Sequence, residues 1–217
     1  MRRFLPLALL LLPLPALAQQ SDEQLWFQAS ASVPVSAKAR LTIESIGRFS
    51  DRAGGFSHDE FGGLLSYTVR DGVEIAVGYR HVDDYDQGRA KPNEERIRQQ
   101  VLVTLGGGFS GRLRFEQRFQ STSSAVGVRV RPQLRFTLPI GSGFSIFATQ
   151  EHFVNLNTTR WGQRGGYERM RNAVGISIPL SPKLKGDIGY LNQYRFGRAG
   201  ARDQMDHAAT FSLTLTL

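Results

Sequence analysis

Two segments in the middle of the chain alternate between apolar and charged side chains. The first runs from 112 to 119 (Arg-Leu-Arg-Phe-Glu-Gln-Arg-Phe) and the second from 128 to 138 (Val-Arg-Val-Arg-Pro-Gln-Leu-Arg-Phe-Thr-Leu). A period of two predicts a β-strand, because successive side chains of a strand leave opposite faces of its backbone. A helix does not separate residues in this way, since its neighbouring side chains are three and four positions apart. Each segment is therefore predicted to be a strand with one apolar and one charged face.

The same unit, an alternating segment followed by a turn, recurs along the whole chain. Eleven segments follow this pattern: 25–33, 39–49, 58–70, 73–81, 96–105, 111–120, 126–138, 144–154, 168–180, 184–194 and 204–217. The connections at 34–38, 71–72, 106–110, 139–143 and 181–182 are tight, whereas those at 50–57, 82–95, 155–167 and 195–203 are longer and polar. Short turns that alternate with longer loops are typical of transmembrane β-barrels. We predict an all-β fold, an antiparallel transmembrane β-barrel of about 10–12 strands with short periplasmic turns and longer extracellular loops. An even strand number is expected.

A soluble exported barrel or sandwich would have the same periodicity, with its charged face in water. Aromatic residues near segment ends favour the membrane version, because aromatic girdles lie at lipid interfaces. These aromatic residues are Trp26, Phe49, Phe61, Tyr79, Phe119, Phe144, Phe153, Tyr190 and Tyr194. The alternating apolar C-terminal segment, which ends at Leu217, also resembles the signal that the outer-membrane insertion machinery reads.

The first eighteen residues have the pattern of a secretory signal peptide. A basic start at Arg2 and Arg3 precedes a short apolar stretch and a small-residue cleavage site that ends at Ala18. Residues 1–18 are therefore predicted to be a signal peptide and 19–217 a single barrel domain. The chain has no Cys, so disulfides are excluded. Its formal net charge of +8 falls to +6 without Arg2 and Arg3, but export and the strand placement of the cations argue against nucleic acid as a partner.

If the apolar faces meet lipid, the charged faces fill the lumen. We expect a ladder of arginines there, because a one-residue slip would put all of them in hydrocarbon. Its members are Arg96, Arg98, Arg112, Arg114, Arg118, Arg129, Arg131 and Arg135. They are expected to pair with Glu116 and with acids from across the barrel, namely Glu44, Glu60, Glu74 and Glu151. The lumen could be packed with Arg–carboxylate pairs or form a narrow, anion-preferring channel. The packed lumen is preferred.

Catalysis would require a nucleophile beside a base, usually His with Ser and an orienting group. The four histidines, at positions 58, 81, 152 and 207, lie on separate segments without metal-ligand spacing, and no Gly-x-Ser-x-Gly occurs. We therefore expect no enzymatic activity, no cofactor and no metal site. A lipid- or lipopolysaccharide-modifying barrel enzyme that uses one of these histidines, and a surface adhesin or receptor that acts through the long loops, remain alternatives.

Several motifs together resemble a known family. They are 112–118, Leu25-Trp26, Gly78-Tyr79-Arg80 before a long polar loop, Arg131, Arg135, Glu151, Phe153, Asn155, 189–194 and His207 at the start of the last segment. The chain is similar over nearly its whole mature length to domain of unknown function 2490, small outer-membrane barrels of Gram-negative bacteria. Where that family typically carries Gln-Asn-Arg, this chain has Met170-Arg171-Asn172. The resemblance implies a barrel in the bacterial outer membrane and carries over no activity, substrate or catalytic residue.

The expected surroundings of this protein follow from its predicted location. Its partners would be outer-membrane lipid and lipopolysaccharide, and the insertion machinery during biogenesis. We expect a monomer.

Overall fold

The computed structural model describes residues 19–198 and 200–217, and all regular structure in this part of the chain is β-strand. The strands are β1 (Gln19–Pro34), β2 (Ala39–Ser50), β3 (Gly55–Arg70), β4 (Val73–Asp86), β5 (Arg89–Ala90), β6 (Glu94–Gly106), β7 (Phe109–Gln120), β8 (Val126–Gly141), β9 (Phe144–Asn155), β10 (Gly166–Pro179), β11 (Leu184–Arg195) and β12 (Asp203–Thr216). None of the described residues belongs to a helix long and apolar enough to cross a membrane. The predicted signal peptide lies outside the described residues.

Eleven of these strands form a closed barrel. Each pairs with its neighbour in the order β3-β2-β1-β12-β11-β10-β9-β8-β7-β6-β4, and pairing of β3 with β4 closes the ring. The remaining strand, β5, is two residues long and pairs only with the end of β4, where it extends one loop as a small hairpin. The all-β barrel that the sequence predicts is therefore confirmed.

The expectation of an even strand number and a wholly antiparallel sheet is wrong. The barrel has eleven strands, and its first and last strands meet in a parallel pairing that we call the seam. β1 and β12 pair in parallel over fourteen positions, from Gln19 opposite Asp203 to Ser32 opposite Thr216. The reason is geometric: in an up-and-down barrel the direction reverses at each strand, so the first and last of eleven strands run the same way. Hydrogen bonds in a parallel pair are slanted and slightly weaker per residue than in an antiparallel pair.

The apolar faces of the strands point away from the barrel axis. Each of the eleven strands contributes at least one large apolar side chain that is 41–54% exposed. One such ring, the outward belt, consists of Phe27, Ile43, Leu65, Val77, Val101, Leu113, Leu134, Ile146, Ile176, Ile188 and Leu213. The buried positions are mainly polar, and Arg98, Glu116, Gln193 and Asp206 are almost completely enclosed. The barrel is thus apolar outside and polar inside.

Two aromatic residues that the sequence analysis places in an interfacial girdle lie inside the barrel instead. Trp26 is 8% exposed and Phe153 is 2% exposed. Both occupy polar-face positions of their strands, so the alternation of side chains turns them inward. Trp26 packs with Leu191 and Ala208 in a small apolar cluster on the lumen wall. The assignment of these two residues to the girdle is therefore wrong.

The two ends of the barrel differ in the length of their connections. At one end, which we call the turn end, the connections are 35–38, 71–72, 107–108, 142–143 and 180–183. At the other, the loop end, they are 51–54, 87–93, 121–125, 156–165 and 196–202. The predicted loop at 50–57 shortens to four residues, because β2 and β3 extend further than the sequence analysis predicts. β1 begins at the loop end, whereas β12 ends at the turn end.

Candidate functional site in the barrel lumen

Two sets of ion pairs, which together we call the lumen network, fill much of the barrel interior. Its six carboxylates come from Glu44, Glu60, Glu94, Glu116, Glu151 and Glu168. Its eleven guanidinium groups come from Arg48, Arg80, Arg96, Arg98, Arg112, Arg114, Arg118, Arg129, Arg131, Arg169 and Arg171. Each carboxylate is therefore shared, and the cations exceed the anions by 11 − 6 = 5.

Arg131 links two of the most deeply buried carboxylates. Its Nη1 donates to Glu116 at 2.7 Å and its Nη2 to Glu151 at 2.9 Å. Glu116 also accepts a hydrogen bond from Arg129 at 2.6 Å, and Glu151 lies 3.5 Å from Arg171. Bidentate and bridging geometry of this kind depends on the planar guanidinium fork, which a lysine ammonium cannot reproduce. This half of the network ties β7, β8, β9 and β10 together.

Glu60 is the centre of the other half. Its carboxylate accepts from Arg48 at 3.2 Å, lies 3.4 Å from Arg96 and also pairs with Arg80. The His58 ring completes this set, with Nε2 at 2.8 Å from Glu60 and Nδ1 at 2.5 Å from Asp84. These contacts join β2, β3, β4 and β6, and the one between Arg96 and Glu60 crosses the intervening strand β4.

Aromatic rings connect the two halves. The guanidinium carbon of Arg48 lies 4.0 Å from the ring centroid of Trp26, and that of Arg171 lies 4.7 Å from it. Arg171 also lies 4.9 Å from the centroid of Phe153, and Arg131 lies 4.3 Å from that ring. The electron-rich face of an aromatic ring attracts a nearby cation, more strongly where water is excluded. Trp26 and Phe153 therefore offset part of the positive surplus.

The structure brings together most of the arginine ladder that the sequence predicts, but it leaves two members apart. Glu74 has no ion pair within the described part of the chain, and Arg135 bonds to Thr137 and lies over the Phe147 ring rather than at a carboxylate. The other predicted members all belong to the lumen network. Sequence reasoning missed Arg48, Glu94, Glu168 and Arg169. The phase of Glu44 in β2 could have identified Arg48, whereas Glu94 lies in what the sequence analysis treats as a loop.

Further polar contacts close part of the loop end. Arg52, in the 51–54 connection, lies 2.7 Å from Asp206 on β12 and 3.2 Å from Asp22 on β1. Asp206 also accepts from Gln193, which is fully buried. On the opposite wall, Gln163 of the 156–165 loop is 4% exposed and accepts a hydrogen bond from Arg118 at 2.9 Å. Both sides of the barrel mouth are thus tied to groups inside the barrel.

The other histidines lie apart from one another on the outer faces of their strands. His81 lies between Glu95 and Asp83, at 2.7 and 2.9 Å. His152 contacts the hydroxyl of Tyr167 at 2.6 Å, and His207 that of Tyr190 at 2.5 Å. The partners of these rings are carboxylates and phenols. In the described residues, no group of three or more His, Cys, Asp or Glu side chains has a geometry that could hold a metal ion.

Comparison with known proteins places this barrel in a family. The family described as protein of unknown function (DUF2490) matches residues 23–205, which include the barrel except for the start of β1 and most of β12. The chain belongs to this family. An uncharacterized protein of Methylorubrum extorquens is 36% identical over 157 residues, which cover 69% of this chain and 68% of that protein. The resemblance inferred from sequence motifs to DUF2490 is thereby confirmed, and the family description assigns no activity.

Proposed function

We propose that the protein is an integral outer-membrane β-barrel with a closed lumen, which acts as a membrane-embedded scaffold rather than as an open pore or an enzyme. The outward belt is the observation that carries this proposal. Every strand of the closed barrel exposes large apolar side chains, and a contiguous apolar surface of this extent marks a membrane or protein contact. A ring that surrounds the whole barrel fits a lipid bilayer better than it fits a localised partner. In this setting outer-membrane lipid and lipopolysaccharide surround the protein, and the barrel is a monomer.

The closed lumen is supported by the density of the lumen network. Ion pairs such as Arg98–Glu44 and Arg96–Glu60 reach across intervening strands, and Arg48, Trp26 and Arg171 extend the contacts around the interior. Barrels of about eight strands have interiors that side chains just fill, and the lumen network occupies much of this wider, eleven-stranded interior. We therefore propose low conductance.

Fractionation and electrical recording test the two parts of this proposal separately. After expression in a Gram-negative host, the protein should remain in the outer-membrane fraction during urea or carbonate extraction. Release into the soluble periplasmic fraction would contradict the membrane assignment. In planar bilayers the purified barrel should show little current. A stable anion-preferring current that decreases when Arg114 or Arg131 is replaced by Ala would instead support the narrow channel.

A further inference from the structure

The barrel lumen contains a cavity of about 360 Å³ that residues from all eleven barrel strands line. A central position follows from this, because only the middle of a barrel can be reached from every strand. Pockets that hold small molecules in proteins have volumes of roughly 300–1,000 Å³. The lumen network therefore leaves room for a ligand, although it leaves no wide pore.

The lining of this cavity carries more positive charge than the network as a whole. Ten of the eleven network arginines line it, but only three of the six network glutamates do. Arg195, Asp84 and Asp187 complete the charged lining, which gives 11 − 5 = +6 without His58. Glu94, Glu116 and Glu168 do not line the cavity but pair with arginines that do, which reduces the surplus to 11 − 8 = +3. Uncompensated charge inside a protein is costly because the surroundings solvate it poorly. An anion in the cavity would compensate this charge.

Unused hydrogen-bond donors lie on the same arginines, just beneath the cavity surface. Within the described part of the chain, Nε of Arg48, Arg80, Arg112 and Arg195 is buried and has no hydrogen-bond partner, and all four residues line the cavity. Arg80 is only 6% exposed. Buried donors are normally satisfied, and an unsatisfied one costs free energy. Guanidinium donors bind most strongly to oxyanions, whose oxygens match the planar fork.

The cavity extends towards the loop end. A second polar cavity at the barrel mouth shares four lining residues with it: Arg48, His58, Asp84 and Arg195. The mouth is also lined by Arg52 and Lys91, and by Asp22 and Asp86, with which they form ion pairs. The side of the cavity nearest solvent is therefore the loop end.

We propose that the lumen cavity binds a small multivalent oxyanion, either inorganic phosphate or a phosphomonoester, on the arginines that line it. Several arginines can then share one ligand with several negative oxygens, whereas a halide would satisfy few of the unused donors. This inference goes beyond the proposed scaffold role. It does not depend on the membrane location either, since the cavity is inside the barrel.

The test is calorimetric titration of the folded mature chain in detergent with inorganic phosphate, with chloride at equal ionic strength as the reference. Phosphate should bind with saturation and should raise the unfolding temperature, whereas chloride should do neither. Arg112→Gln should weaken phosphate binding about tenfold, as loss of one charge-assisted hydrogen bond would, and Arg112→Lys should retain part of the affinity. The fold should survive these changes, because Glu151 retains its ion pairs with Arg131 and Arg171.

Arg135→Gln is the matched control, because Arg135 is on the lumen face but does not line the cavity. It should leave phosphate binding unchanged. Equal losses in the Arg112 and Arg135 variants would mean nonspecific attraction to basic charge and would overturn the proposal. Absence of saturable phosphate binding by the folded wild-type chain would also overturn it. Binding of lipopolysaccharide but not of free phosphate would place the anion contact on the outer surface instead.

Discussion

Arg98 on β6 donates a 2.7 Å hydrogen bond from its Nη2 to Oε2 of Glu44 on β2, across the two intervening strands β3 and β4. Arg98 is completely buried, and Glu44 also pairs with Arg80. One carboxylate is thus shared by two cations from different strands. Contacts that skip strands hold the barrel wall in a fixed curvature, in addition to the backbone ladder. Their loss should therefore affect the whole barrel.

Replacement of Glu44 by Gln should destabilise the barrel strongly. The change leaves Arg80 and Arg98 without this anionic partner, and breaking a buried ion pair from one side costs about 3–5 kcal/mol. Urea unfolding in detergent or lipid vesicles, followed by tryptophan fluorescence, should show a lower midpoint. Glu74→Gln is the matched control, since Glu74 points inward without an ion pair in the described residues. Equal effects of both substitutions would argue against this role of Glu44.

A charge in the outward belt should prevent assembly. Val77 on β4 is 50% exposed on the apolar outer face, and Val77→Arg would place a guanidinium in hydrocarbon at a cost of about 2–4 kcal/mol near the bilayer midplane. The folded, faster-migrating band should be weak or absent in unheated gel samples. Val35→Arg introduces the same charge in the 35–38 turn and should be tolerated. Normal assembly of the Val77 variant would contradict a lipid-facing belt.

The parallel pairing of β1 with β12 predicts that β1 begins on the side of the membrane where the long loops lie. Since β1 starts at the loop end, Ser21 and Thr158 should lie on the same side, whereas Ser36 should lie on the other. The chain has no Cys, so single cysteines at these three positions can be labelled specifically. A membrane-impermeant maleimide on whole cells should label Ser21→Cys and Thr158→Cys, and should reach Ser36→Cys only after lysis. Joint labelling of positions 21 and 36 would mean that β1 does not span the membrane.

A side chain at Gly127 should displace the 156–165 loop from the barrel wall. A Cβ at this position would lie 2.6 Å from Oε1 of Gln163 and 2.6 Å from Cζ2 of Trp161. Gly127→Val should therefore expose the loop, and limited trypsin digestion should cut faster at Arg160 or Arg164. The control is Gly111→Val on β7, where the nearest atom is 3.6 Å from the added Cβ. The idea fails if both variants are cleaved at the wild-type rate.

Much of the lumen network was predictable because alternation in a strand fixes which residues share a face. Four charged residues occupy alternate positions of β7, so all of them must project from the same face of the strand: Arg112, Arg114, Glu116 and Arg118. The same rule applied to Trp26 and Phe153 would have put both inside, since each lies in phase with polar neighbours. Their placement in a girdle rested on nearness to a strand end, which says nothing about the face.

The sequence by itself determined the strands, their phases and the inside-out distribution of polar and apolar side chains, because each of these depends on local alternation. The tertiary structure decided the parallel β1–β12 seam and the choice of ion-pair partners. The seam depends on which two strands meet when the sheet closes, and the pairing of Arg98 with Glu44 depends on the curvature of the closed barrel. Glu74 and Arg135 have the expected phase as well, but their positions along the barrel axis keep them out of the network. Phase is a property of one strand, whereas distance across a lumen is a property of the closed sheet.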